Sequence, residues 1–312
     1  MILPRIARRL IAVPAIVAAV LIVLLSSAGA VYRPNVELPA GFGGRHFYVH
    51  GVPLRVLQRG TGPDVLLLHG SPGSIEDWLP VIDALADSFR VTAFDRPGHG
   101  YSGDGNQYSL QYNAYMALGL IDVLKLEHVV MVGHSYGGAS ALAAALRMPP
   151  NVDAYVIVDS ASYEPSRTPT ALYKLLAVPT LGIGVAMILG PLLAPKRIRH
   201  GLIAQFARRT PPEDFIAVRT RIWSTPKVTH AVALETLGAA AELAAQSPGY
   251  PSITRPVHIL AQAGDAFRRT TAERLQRAIA NSSLRLVSGT GHYLQLEATA
   301  DVAAVIRRAA AK

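Results

Sequence analysis

From about residue 45 onward, the chain alternates short apolar runs with amphipathic stretches, and this alternation constrains the fold most strongly. Because strand and helix alternate, the pattern predicts an α/β fold with a mostly parallel sheet covered by helices on both faces. The predicted strands are Arg45–His50, Leu54–Gln58, Val65–Leu68, Val91–Phe94, Val129–Val132, Tyr155–Val158, Val257–Ala261 and Leu284–Val287. The predicted helices are Glu76–Ala86, Leu110–Leu124, Gly137–Met148, Thr271–Ala280 and Ala298–Ala310.

The alternation stops between residues 160 and 255, where no convincing strand pattern occurs. We expect this segment to be a helical cap inserted between two strands, with the core formed by residues 34–159 and 256–312. Half of the 312 residues are hydrophobic, enough for a sizeable core, so a disordered chain is excluded. The absence of cysteine excludes thiol chemistry and cysteine-ligated metals.

The positive charge of the chain is concentrated in particular segments. The net charge is +9, and residues 1–33 hold four arginines and no acidic residue, while residues 34–159 are net acidic. No aromatic-basic stripe or nucleic-acid motif accompanies the basic segments. The composition therefore gives no support to a nucleic-acid partner.

The N-terminus resembles a membrane-targeting segment. Arg5, Arg8 and Arg9 precede the uncharged stretch Leu10–Tyr32, and a helix of about 20 apolar residues suffices to cross a bilayer. We expect residues 1–33 to be a retained single-pass anchor, with the arginines in the cytoplasm and the remainder on the far side. The alternative is a cleaved signal peptide and a secreted protein, because Ala28–Ala30 matches a small-x-small cleavage site.

Gly133–Gly138 reads Gly-His-Ser-Tyr-Gly-Gly and lies directly between a predicted strand and a predicted helix. A nucleophilic serine must project from a very tight turn, and glycines two positions before and after it remove the Cβ atoms that would collide. This turn also places the backbone N–H of Tyr136 where negative charge would develop. The pattern therefore predicts Ser135 as a nucleophile.

With these motifs, the chain resembles the α/β-hydrolase fold family over roughly residues 45–310, as a serine hydrolase with a helical cap. His69–Gly73 resembles the oxyanion loop of that family, which implies that the backbone N–H of Ser71 and that of Tyr136 form the oxyanion hole. Asp95–Ser102 resembles the next loop of the family, which has a structural role. Relatives that open epoxides carry aspartate at the elbow, where this chain has Ser135.

The resemblance also implies a catalytic acid and a histidine that follow the serine in that order. We assign His292 as general base and Asp265, after the predicted strand Val257–Ala261, as the acid that orients it. Asp159 is the competing acid, because it ends the preceding strand, where some family members place theirs.

The leading prediction is hydrolysis of a carboxylic ester, thioester or lactone through an acyl-enzyme, with a small, apolar acyl substrate. Carbon–carbon bond hydrolysis, removal of N-terminal proline and ligand binding without turnover stay open. No phosphate-cradling loop or metal-ligand spacing occurs in the sequence, so we infer no cofactor and no metal.

The predicted cap contains the uncharged run Leu175–Ala194, followed by the basic residues Lys196, Arg197 and Arg199. A second membrane span here would place His292 and Ser135 on opposite sides of the membrane, so we interpret the run as part of a lid over the pocket. A sharper hypothesis is that this part of the cap also rests on the bilayer, with its basic cluster near anionic head groups.

Overall fold

Eight strands form one sheet in the computed structural model, which describes residues 5–105, 107–163, 169–207 and 210–311, with side chains from residue 14 onward. The arginine side chains on which the predicted orientation of the N-terminus depends therefore lie outside the described residues. The strands are β1 (Arg45–Val49), β2 (Val52–Arg59), β3 (Asp64–Leu68), β4 (Arg90–Phe94), β5 (Val129–His134), β6 (Val152–Val158), β7 (Val257–Gln262) and β8 (Ser282–Val287).

The strand order is β1-β2-β4-β3-β5-β6-β7-β8, with β3 to β8 parallel and β1 and β2 antiparallel. The predicted α/β fold is thus confirmed, and each predicted strand is found within a few residues of its expected ends. Parallel strands present their carboxyl ends at one edge, so the loops after β3, β5 and β6 are neighbours.

Helices cover both faces of the sheet: α2 (Leu79–Leu85), α3 (Leu110–Leu124), α4 (Tyr136–Ala145), α9 (Ala266–Ala278), α10 (Leu294–Glu297) and α11 (Thr299–Ala310). Strand β3 is buried along its whole length, and its side chains alternate between two hydrophobic cores. Leu66 and Leu68 pack in the core shared with α3 and α4, whereas Val65 and Leu67 pack in the core shared with α2 and α11.

Between β6 and β7 the chain forms α5 (Ala171–Leu176), α6 (Leu181–Gln205), α7 (Glu213–Trp223), α8 (Pro226–Gln246) and a 3-10 turn, Ser247–Ser252. Two buried cations fasten this segment to the core. Arg219 of α7 pairs with Asp77 at 3.0 Å, and the Lys227 ammonium of α8 donates to the backbone carbonyl of Gly100 at 3.0 Å. Helices α7 and α8 are therefore attached to the core by buried polar contacts.

Helix α1 (Arg5–Val31) contacts the inserted helices near its C-terminal end. A Cβ atom at Gly29 would lie 1.8 Å from the carbonyl oxygen of Thr180, and one at Gly184 would lie 1.9 Å from that of Leu25. The backbones of α1 and α6 thus touch, which only glycine permits. Both helices, over Pro14–Val31 and Leu181–Gln205, are long and apolar enough to cross a membrane by length and composition.

Candidate active site

Ser135 occupies the sharp turn between β5 and α4. Its φ of 52° and ψ of −118° are a strained conformation for a residue with a side chain. The flanking glycines permit it, because a Cβ at Gly133 would lie 2.3 Å from the carbonyl oxygen of Gly137, and one at Gly137 2.4 Å from that of His69. The local sequence therefore forces the chain into a sharp strand-to-helix elbow and leaves Ser135 partly exposed in a cavity.

Asp159 is the acid that contacts His292. Its Oδ2 lies 2.6 Å from Nδ1 of the His292 ring, and its Oδ1 accepts a hydrogen bond from the backbone N–H of Gln262 at 3.1 Å. Arg268 also faces this carboxylate at 3.3 Å. Asp159 comes directly after β6, whose neighbours in the sheet are β5, which carries the serine, and β7. Because Asp159 directly follows β6, its carboxylate lies within hydrogen-bond distance of the His292 ring.

The prediction that Asp265 orients His292 is wrong. Asp265 is exposed, and its Oδ1 accepts a hydrogen bond from the backbone N–H of Arg268 at 2.9 Å as the N-cap of α9. This carboxylate satisfies one of the free amides at the start of its own helix. The predicted helix starts at Thr271, whereas the observed one starts at Ala266, directly after Asp265; with that start, the aspartate would read as a typical N-cap.

The pKa values of the pair follow from burial and from their contact. Burial raises the pKa of Asp159, but the hydrogen bond from His292 and the nearby charge of Arg268 outweigh that effect and leave the pKa below its usual value. Burial lowers the pKa of His292 more than the Asp159 carboxylate raises it. Near neutral pH, Asp159 is therefore ionised and the His292 ring is neutral, which is the form that accepts a proton.

A second histidine fixes the loop that carries His292. Nε2 of His134 lies 2.9 Å from the backbone carbonyl oxygen of His292, and the two rings are 4.5 Å apart between centroids. Burial holds the pKa of His134 well below its ordinary value, so this ring is neutral and donates from Nε2. On the other side, the backbone N–H of His292 donates to the carbonyl of Gln205, the last residue of α6, at 2.7 Å.

The loop after β3 brings Ser71 beside the elbow. A Cβ atom at Gly70 would lie 3.2 Å from the Cβ of Ser135, so the two loops are in contact. Within the part of the chain that the structure describes, neither the backbone N–H of Ser71 nor that of Tyr136 donates a hydrogen bond to the protein. Both amides are therefore available for an oxyanion beside Ser135.

Arg96 holds the loop after β3 in place. Its guanidinium donates to the carbonyl oxygens of His69 at 3.0 Å and Gly70 at 2.8 Å, and it forms an ion pair with Glu235 of α8. Both charged side chains are fully buried. Neither the partner of Arg96 nor a role for Glu235 can be recognised in the sequence, because residues 139 positions apart give no local signal of pairing.

Ser135, Ser71 and His292 line one cavity with a volume of about 560 Å³. Its remaining walls are mostly apolar and come from the helices inserted between β6 and β7, including Leu172, Leu176, Val185, Leu189, Leu193 and Val232. In the described residues, no direct hydrogen bond joins the Ser135 hydroxyl to the His292 ring. In sites without substrate such catalytic hydrogen bonds are often long, and they tighten when the substrate binds.

Comparison with known proteins agrees with this architecture. The model of the alpha/beta hydrolase family matches residues 65–305. A 2-hydroxymuconate semialdehyde hydrolase from Pseudomonas is 37% identical over 125 residues, which are 38% of this chain and 44% of the relative. An uncharacterised protein from Mycobacterium bovis is 32% identical over 148 residues, 47% of this chain and 43% of the relative. The alignments thus span less than half the length of either relative.

Similarity to solved structures extends further along the chain. The enol-lactonase from Burkholderia xenovorans has a TM-score of 0.68 at 20% identity and covers 86% of this chain and 100% of its own. An esterase from Exiguobacterium antarcticum has a TM-score of 0.70 at 21% identity, with coverage of 86% and 100%. At these identities the likeness concerns the fold. Together with the match of the family model over most of the chain, these findings establish that the protein belongs to the alpha/beta hydrolase family.

Proposed function

We propose that the protein hydrolyses a carboxylic ester, thioester or lactone through an acyl-enzyme on Ser135. The observation that carries the proposal is that Ser135 and His292 line one cavity, while His292 is hydrogen-bonded to the buried carboxylate of Asp159. A site that only binds a ligand has no physical need for a strained serine and an oriented neutral imidazole.

In the first half of the reaction, Nε2 of His292 takes the proton of the Ser135 hydroxyl while Oγ bonds to the carbonyl carbon of the substrate. The oxygen of that carbonyl becomes negative and receives hydrogen bonds from the backbone N–H groups of Ser71 and Tyr136. The bond to the leaving group then breaks, and His292 gives the proton to the departing oxygen or sulfur. Asp159 stabilises the imidazolium throughout and stays ionised.

In the second half, water replaces the leaving group. His292 takes a proton from the water molecule while its oxygen attacks the acyl carbon, and the same two amides receive the new oxyanion. The bond to Oγ breaks, the proton returns from His292 to Ser135, and the carboxylic acid product is released. The apolar walls around Leu176 and Val185 favour an acyl group with little polarity.

A fluorophosphonate probe tests the nucleophile directly. We expect wild-type protein to be labelled and Ser135→Ala to be unlabelled. Ser140→Ala is the matched control, because Ser140 lies five residues after Ser135, on α4, and its hydroxyl donates a hydrogen bond to the backbone carbonyl of Tyr136 at 3.0 Å. This variant should keep its labelling. A folded wild-type protein that does not react would contradict the proposal and would favour a ligand-binding role without turnover.

The class of bond is tested with a substrate panel. We expect turnover of p-nitrophenyl esters that depends on Ser135 and varies with acyl chain length. Turnover of a diketone or a proline peptide in place of the esters would assign the carbon–carbon hydrolase or aminopeptidase alternative, since the same serine and histidine serve those reactions.

We also infer that α1 anchors the enzyme in a membrane. Consecutive residues from Val20 to Leu24 are each more than half exposed, so every face of this part of the helix lacks cover from the described protein. Leaving such apolar area in water is unfavourable, whereas a bilayer would bury it. The contact of Gly29 with Thr180 supports retention over cleavage, because it places the small-x-small site inside a packed helix.

Extraction of cell membranes with alkaline carbonate tests the anchor. We expect the full chain to stay in the membrane pellet with an intact mass that includes residues 1–33. A soluble protein whose mass begins after Ala30 would instead establish the cleaved and exported form.

A further inference from the structure

The rim of the active-site cavity is formed by one stripe of α6. Leu189, Leu193 and Arg197 line the cavity and are also solvent-exposed, with 43% and 50% exposure for the two leucines. These residues are four positions apart, so they lie above one another on a single face of the helix. A side chain that both lines a cavity and is exposed stands at its mouth, and this mouth is therefore apolar at one end and basic at the other.

The neighbouring stripe of α6 faces away from the cavity and is also apolar. Ile188 is 57% exposed and Leu192 is 74% exposed, and neither lines the cavity. The exposed side chain of Lys196 follows one turn later. Apolar side chains that give way to cations along one face are the pattern of a helix lying in the interface of an anionic membrane.

The contact between α1 and α6 places this surface beside the proposed anchor. The two backbones touch at Gly29 and Gly184, and Ile188 lies one turn beyond Gly184 on α6. At the other end of α6, Gln205 accepts the hydrogen bond from the backbone N–H of His292. Helix α6 therefore runs about 30 Å from the anchor to the catalytic loop, at 1.5 Å per residue, with the cavity along its side.

We propose that substrate enters the cavity from the bilayer, across the rim at Leu189 and Leu193, and that the substrate class is a membrane-partitioned amphiphilic ester. The acyl chain would pass from the lipid into the apolar cavity without crossing water, which removes the cost of exposing it. The basic side chains of Lys196 and Arg197 would lie at the depth of the head groups. This proposal rests on the proposed function, because it presumes hydrolysis at Ser135.

Of the cations in this region, Arg199 is the least suited to contact lipid. Its guanidinium forms two hydrogen bonds with Glu213, at 2.5 and 2.7 Å. We therefore exclude Arg199 from the proposed contact with anionic lipid and assign that contact to the exposed side chains of Lys196 and Arg197.

The test compares two substrates with the full-length enzyme reconstituted in vesicles of phosphatidylcholine and phosphatidylglycerol. One substrate is 4-methylumbelliferyl oleate dissolved in the vesicles, and the other is water-soluble p-nitrophenyl butyrate. The variant is Ile188→Glu combined with Leu192→Glu, which alters the outward stripe and no residue that lines the cavity. We expect it to lower the rate on the vesicle ester by roughly tenfold or more and to leave the soluble ester unchanged.

Val123→Glu is the matched control, because Val123 is also an exposed apolar residue of a helix, at 45% exposure, but lies on α3. It should change neither rate, and vesicle flotation should show equal binding of all variants through α1. Equal losses on both substrates, or no loss on either, would overturn the membrane route. If the wild type cleaves the soluble ester but not the vesicle ester, the route fails and the proposed function stands. If it cleaves neither and resists the fluorophosphonate probe, the proposed function itself fails.

Discussion

The carboxylate of Asp159 lies 2.6 Å from Nδ1 of His292, whereas the carboxylate of Asp265 caps the first turn of α9. Two acids that follow neighbouring strands thus have different tasks. The one at the end of β6 reaches the ring, and the one beyond β7 is used by the backbone of its own helix. Substitution of the first acid should therefore lower kcat, and substitution of the second should lower the stability of the fold.

Asp159→Asn should lower kcat by roughly 10³- to 10⁴-fold, because the amide can hold the wrong tautomer of His292 and cannot stabilise its cation. Asp265→Ala should leave kcat nearly unchanged and lower the free energy of unfolding by about 1 kcal/mol through loss of the N-cap. Ester kinetics and denaturant unfolding of both variants measure these effects. A large loss of kcat in Asp265→Ala, with Asp159→Asn active, would reverse the assignment.

The pH dependence of activity should follow the neutral state of His292. Burial lowers the pKa of His292 from its ordinary value of 6.5, so the ring loses its ability to accept a proton only as the pH falls below that value. We therefore expect kcat/KM for a soluble ester to be constant around pH 7 and to decline on an acid limb with a midpoint below 6.5. A midpoint above 6.5 would contradict the environment described for this ring.

The buried pair of Arg96 and Glu235 should couple the inserted helices to the loop that carries His69 and Gly70. Burial raises the pKa of Glu235, but Arg96 and His99 outweigh burial and lower it to about 2. Since the folded-state pKa lies below the unfolded one, the stabilisation is full above pH 4.5 and is lost as the pH falls toward 2. Glu235→Ala leaves the guanidinium buried without this partner, and breaking such a pair costs about 3–5 kcal/mol.

We expect Glu235→Gln, which keeps the shape of the side chain, to fold and to lower kcat more than it raises KM, because Arg96 orients the carbonyls of His69 and Gly70. Kinetics with a soluble ester and urea unfolding at pH 7 separate the two effects. A stability loss with unchanged kcat would show that the pair is structural only.

The crossing of α1 and α6 should not tolerate a side chain at Gly184. A Cβ atom there would lie 1.9 Å from the carbonyl oxygen of Leu25, so Gly184→Val must force the helices apart and should destabilise the protein by about 1–3 kcal/mol. Gly201→Ala is the control on the same helix, because a Cβ atom there meets nothing within 4 Å.

In an exposed helical position, alanine is preferred to glycine by up to about 1 kcal/mol, so the Gly201→Ala control should be neutral or stabilising. Thermal unfolding of the full chain in detergent micelles measures both variants. Equal stability of Gly184→Val and wild type would mean that the helices do not cross closely in solution.

The sequence by itself determined the features that depend on residues close together along the chain. The alternating apolar runs predicted the eight strands, and the helix Leu110–Leu124 was predicted with its observed ends. The glycines around Ser135 predicted the strained turn, because the clash they avoid lies within a few residues. Hydrophobic periodicity and steric clashes between residues close in the chain can both be inferred from the sequence.

Only the tertiary structure decided which distant groups meet. The choice of Asp159 over Asp265 depended on the order of β5, β6 and β7 in the sheet and on where α9 begins. The ion pair of Arg96 with Glu235 joins residues that are far apart in the chain. Such pairings are set by how whole elements pack, and that packing is a long-range property that no local pattern encodes.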